Sequence, residues 1–94
     1  MKIGGIIWIR AVEDKLAFKH NVETYEIEEV FDDKPKFRFV EKGERESEDV
    51  YLALGQSMHG RYLSVLFIYK RTKDALILSG RDMAKNERKQ YAKK

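Results

Sequence analysis

The sequence predicts an α+β domain in which a short strand and a helical hairpin precede a four-strand antiparallel meander, and a basic helix closes the chain. Three observations predict it. Apolar residues recur at three- and four-residue spacing between residues 11 and 32; from Lys36 the period becomes two; and from Met83 onward the residues are again good helix formers. With 94 residues, 43% of them hydrophobic, the chain supports one core, so residues 1–94 are read as one domain.

Lys2 to Ile9 is β-branched and apolar but carries Gly4-Gly5, which suits a short or edge strand. Ala11 to His20 places Val12 and Leu16 four apart, with Glu13 and Asp14 in the first turn, where negative charge complements the helix dipole. Asn21 is the stop signal, because Asn tolerates the left-handed conformation that ends helices. In the second helix, Val22 to Asp32, Ile27, Val30 and Phe31 share a face and Glu26 and Glu29 lie on the wet side. Asp33-Lys34-Pro35 ends it.

Phe37, Phe39 and Glu41 alternate with Lys36, Arg38 and Val40, and Gly43 opens an acidic loop that runs to Glu48. Asp49 to Gln56, Arg61 to Arg71 and Ala75 to Arg81 are β-rich runs joined by short turns. Val65 to Tyr69 is apolar on both faces, as expected of a central strand with helices over at least one side. Asp82 is placed as the cap of the last helix, Met83 to Lys94.

Charge is divided along the chain. Residues 1–60 carry 9 basic and 13 acidic side chains, and residues 61–94 carry 10 basic and 3 acidic ones. The C-terminal third is therefore a cationic pole, suited to nucleic acid or to an acidic protein. There is no cysteine, which excludes a disulfide framework, a thiolate nucleophile and Cys-based metal sites, and makes the cytoplasm the default compartment. No apolar run approaches the roughly 20 residues that span a bilayer, so no membrane partner is expected. No metal-ligand spacing and no cofactor motif is present.

Four side chains are candidates for chemistry. Arg61 and Arg81 fall at one end of the sheet if their strands form a hairpin, and two converging guanidiniums would make a phosphodiester clamp; the alternative is that both bridge to the acidic loop. His20 ends the first helix, where the carbonyl pole favours a cationic imidazole. Glu48 immediately precedes a strand and is held near the sheet better than the rest of its loop. On the last helix Lys85 and Arg88 are basic, and Tyr91 with Arg88 could stack on an unpaired base or pack on the sheet. Trp8 reads as core and His59 as a turn residue.

The ordered set Trp8, Lys19-His20-Asn21-Val22, Glu29-Val30-Phe31, Ala53-Leu54-Gly55, Gly60-Arg61-Tyr62-Leu63, Ser79-Gly80-Arg81-Asp82-Met83, Glu87-Arg88 and Tyr91 resembles the BrnT toxin family over nearly the whole chain. That resemblance implies a RelE-like fold and a metal-independent endoribonuclease of a bacterial type II toxin-antitoxin module. It also implies a BrnA-type antitoxin partner, through which alone promoter DNA is bound. On that reading RNA is cut by attack of its own 2′-hydroxyl. Arg61 and Arg81 stabilise the extra charge, Glu48 or His20 takes the proton, and Lys19, Lys85, Arg88 and Tyr91 guide the strand. A non-catalytic nucleic-acid-binding or protein-interaction module on the same fold is the competing class, although no aromatic RNP-type strand or helix-turn-helix pattern supports it.

Overall fold

The computed structural model describes residues 1–46 and 48–93; Ser47, in the expected acidic loop, and Lys94, in the expected last helix, lie outside the described residues. Strand β1 (Gly5–Ile7) runs parallel to β5 (Asp74–Asp82), and β5, β4 (Tyr62–Tyr69), β3 (Val50–Gln56) and β2 (Lys36–Glu41) follow as antiparallel neighbours, giving the order β1-β5-β4-β3-β2. The helices are α1 (Arg10–Lys15), α2 (Thr24–Asp32) and α3 (Lys85–Ala92).

The alternation of β4 sets the two faces of the sheet. Leu63, Val65 and Phe67 are fully buried and meet Leu16, Val22, Ile27 and Val30 from the helical hairpin. Phe67 also receives the rings of Phe31 and Phe37 edge-on, at 5.3 and 5.9 Å between centroids. Tyr62 and Ser64 point the other way, under α3. The apolar stripe of α2 and the apolar side of the sheet thus bury one another, which is what holds the hairpin down.

The first helix ends differently from a plain α-helix. After Lys15 the backbone widens into a π-helical turn, Leu16–His20, that stops at Asn21 in the left-handed conformation (φ 52°, ψ 42°). The Val22 amide donates back to the Leu16 carbonyl at 3.1 Å. Leu16 and Val22 are consequently both in the core, and the His20 carbonyl is delivered to the end of the sheet where β4 begins and β5 finishes.

Two placements differ from the sequence reading. Asp82 is the last residue of β5 and does not cap α3; that helix starts at Lys85, and the Ala84 amide donates to Glu87 Oε1 at 2.7 Å instead. Glu26 is not on a wet face, because α2 turns it toward Arg61.

Candidate active site

Arg61 leaves the β3–β4 turn on the helical face of the sheet. Its Nε donates to Asp82 Oδ1 at 2.8 Å and Nη2 to Oδ2 at 3.3 Å; Nη1 donates to the Asn21 carbonyl at 2.8 Å and to Glu26 at 3.2 Å; Nη2 also donates to the His20 carbonyl at 3.2 Å. A guanidinium has five N–H groups, and these contacts occupy all five. Arg61 is a clip that joins the π-helical turn, α2 and the end of β5, with no donor left for a phosphate.

Arg81 is one residue before Asp82 and therefore points to the opposite face, as its register partner Ser64 does. Nη1 and Nη2 donate to the two oxygens of Glu87 at 2.7 and 2.9 Å, and Nη1 also reaches the Asp82 carbonyl at 3.1 Å. The Ser64 hydroxyl is 3.3 Å from the same carboxylate. Glu87 is 5% exposed, whereas Arg81 keeps 45% of its side chain in solvent. Arg81 thus retains N–H groups that face outward.

The expected clamp is therefore corrected. Arg61 and Arg81 do reach one end of the sheet, but alternation sends them to opposite sides of it, and each is tied to a carboxylate of its own. Among the described residues neither bridges to the acidic loop. Glu48 is corrected as well: it sits beside the start of β3, at the other end of the sheet, paired with Lys70 at 2.9 Å. The eight residues of β4 separate it from Arg61 by roughly 25 Å at strand rise. The Lys70 hydrogen bond holds its carboxyl below the usual value.

His20 is half-buried at the rim, and its carbonyl is the group Arg61 grips. Asp82 lies below its ordinary acidity range, chiefly because Arg61 donates to it, with the positive field of His20 acting in the same direction. The Arg81 hydrogen bonds, then the Ala84 amide and Ser64, likewise lower Glu87. Lys19 is exposed on the π-helical turn, and Lys85 on the first turn of α3. Arg88 stacks over the Tyr62 ring at 3.9 Å, and Tyr91 meets Tyr62 edge-on at 6.0 Å, so Tyr91 takes the sheet-packing option. Partial burial raises the Tyr91 hydroxyl. Trp8 packs against the core cluster, with Nε1 3.4 Å from Glu28; His59 is exposed in its turn.

Sequence reasoning missed Glu26, Asp82, Ser64 and Glu87 as members of this region. One signal was available for the last two. Ser64 interrupts an apolar strand, and a buried hydroxyl needs a hydrogen-bond partner, which is Glu87. Among the described residues no group of three or more His, Cys, Asp or Glu side chains could hold a metal ion, and no helix is long and apolar enough to cross a membrane.

A mixed sheet thus carries a helical hairpin on one face and a short basic helix on the other, with His20, Arg61 and Asp82 meeting at the end of β5. The crystal structure of the Brucella abortus ribonuclease toxin BrnT superposes with a TM-score of 0.59, covering 89% of this chain and 100% of that one at 15% identity, which shows the common fold. The family described as "Ribonuclease toxin, BrnT, of type II toxin-antitoxin system" matches residues 8–87, and the chain belongs to that family. No curated protein sequence matches it.

Proposed function

We propose that this chain is a cytoplasmic, metal-independent endoribonuclease with a RelE-like fold, acting as one domain and neutralised by a BrnA-type antitoxin that alone contacts promoter DNA. The observation that carries the reading is the rim at the end of β5: Arg61 ties the His20 carbonyl to Asp82, no hydrogen bond among the described residues uses the half-buried imidazole, and Arg81 keeps 45% of its side chain in solvent on the other side of the same strand end.

A single RNA strand laid over that rim meets the groups its cleavage needs. The His20 imidazole accepts the 2′-hydroxyl proton, the 2′-oxygen attacks phosphorus, and the bond to the 5′-oxygen breaks as that oxygen takes a proton from a water molecule, leaving a 2′,3′-cyclic phosphate and a 5′-hydroxyl. Arg81 stabilises charge on the non-bridging oxygens, a role whose removal costs about 10²- to 10³-fold in other systems. Arg61 acts as a positioning residue. Lys19, Lys85 and Arg88 guide the strand, and Tyr91 supports Tyr62 beneath Arg88.

Total RNA incubated with the purified protein in EDTA tests the reading. Fragmentation, suppressed by the antitoxin, is the expected result. Intact RNA with a mobility shift would assign the chain to a non-catalytic binding module.

A further inference from the structure

We propose that the substrate strand, beyond the rim, is held by a second cationic site at the sheet edge, made of Lys36 and Arg38 on β2 with Arg88 as its stacking surface. This rests on the reading that the substrate is RNA. Lys36 pairs with Leu54 and Arg38 with Leu52 in the β2–β3 register, so both project from the α3 side of the sheet. Both are exposed. Lys36 Nζ donates to the Lys93 carbonyl, and Arg38 Nη1 donates to Gln90 Oε1 at 2.5 Å. These acceptors are neutral, and among the described residues the ion pairs involve other cations: Arg61, Lys70 and Arg81. Among the described residues no carboxylate matches the charges on Lys36 and Arg38, and both can face an external anion.

The register also aligns them with the rim. Lys36, Leu54, Ser64 and Arg81 are successive partners across four strands, which puts Lys36 and Arg81 at the two ends of one row, roughly 14 Å apart at ordinary strand spacing. Arg88 lies over that side. One face of its guanidinium covers Tyr62, and the exposed other face suits a nucleobase, a stacking partner widely used for single-stranded RNA.

Electrostatics chooses the direction. The helical side of the rim leads to a cleft of about 520 Å³ lined by Glu29, Asp32 and Asp33, which repels a polyanion. The α3 side leads to Lys85, Arg88, Lys36 and Arg38. A strand leaving the rim follows the second path.

The test is the salt dependence of binding to a fluorescent, 2′-O-methylated single-stranded oligonucleotide, which cannot be cut. Each lost phosphate contact flattens the slope of log affinity against log salt by about 0.7 for single strands. Lys36→Gln with Arg38→Gln should therefore flatten it by about 1.4. Arg71→Gln with Lys73→Gln, which removes two exposed charges at the far end of the sheet, should leave it unchanged. Lys36→Arg with Arg38→Lys alters the grip on α3 but keeps both charges, and should retain the wild-type slope. An unchanged slope in the Gln pair, equal flattening in the remote pair, or a loss confined to antitoxin affinity would each overturn the proposal. A wild-type protein that binds with the expected slope but never cuts RNA would retire the nuclease reading and leave this site standing.

Discussion

Arg61 Nη2 donates to the carbonyl of His20 at 3.2 Å, so a residue at the start of β4 fixes the end of a helix 41 positions earlier in the chain. The contact is to the backbone, and among the described residues no hydrogen bond uses the imidazole. Because the other four N–H groups bind Glu26, Asn21 and Asp82, Arg61 works as a single joint for three elements. Lysine cannot reproduce that fork. Arg61→Lys is expected to cost about 1–2 kcal/mol and Arg61→Ala about 2–3 kcal/mol, since the latter also strands the mostly buried Glu26 carboxylate. Urea unfolding checks both. Cleavage should fall in each variant in step with disorder at the His20 turn, read by amide exchange of residues 19–22.

Arg81 has a structural and a chemical role that one substitution cannot separate. Arg81→Ala removes the proposed charge stabiliser and also leaves Glu87, 5% exposed, without its cation. The single variant is expected to be destabilised by about 1–3 kcal/mol. Adding Glu87→Gln should restore most of that stability, because the neutral amide needs no counter-charge. The double variant should still be inactive in RNA cleavage; a restored fold with restored cleavage would make Arg81 merely structural.

Acid should loosen both faces of the rim together. Asp82 and Glu87 have folded-state values below their ordinary 3.8 and 4.5, each chiefly through an Arg hydrogen bond. A carboxyl that is more acidic when folded stabilises the fold fully above its unfolded value, and that contribution is lost as pH falls through the folded value. Unfolding free energy should thus be flat above about pH 5 and decline below about pH 4. In Glu87→Gln the decline should be shallower, as measured by denaturant titrations from pH 7 to 3.

Two glycines near the hairpin should respond differently to a methyl group. A Cβ on Gly55 would lie 2.9 Å from Val30 Cγ1 and 3.4 Å from the Val30 carbonyl, in the closest approach of α2 to β3. A Cβ on Gly80 would meet Ile27 Cδ1 at 2.9 Å and Leu16 Cδ2 at 3.2 Å, both the free ends of flexible side chains. Gly55→Ala should cost about 1–3 kcal/mol, as overpacking does. Gly80→Ala should change stability by less than about 1 kcal/mol, since a small side-chain adjustment is offset by the lower entropy of the unfolded chain. Thermal melts of the two variants give the comparison.

Much of this architecture was legible because it is written in periodicity. The strands at 50–56, 62–69 and 74–82 stand where the β-rich runs place them, and Asn21 ends its helix in the conformation its side chain tolerates. The site was less legible, for a reason of parity. Residues 81 and 82 are adjacent, so they face opposite sides of β5, and only the pairing register says that Arg61 shares its side with Asp82 and not with Arg81. Glu48 was misplaced for a related reason: its distance from the rim is set by the length and direction of β3 and β4 rather than by its nearness to a strand. The π-helical widening at Leu16–His20 leaves no trace in the helical spacing of Val12 and Leu16. The buried Glu87 was hidden among exposed lysines and arginines, with Ser64 as its faint marker.

The chemistry of the newly formed RNA ends tests the central claim most directly. A defined RNA, incubated in EDTA with the wild-type protein and with His20→Gln, is analysed for its 3′ termini and for rate. We expect 2′,3′-cyclic phosphates from the wild type, and at least about a 100-fold slower reaction from His20→Gln, with folding unchanged. Fragments ending in 3′-hydroxyls, or a His20→Gln protein that cuts at the wild-type rate, would contradict the account.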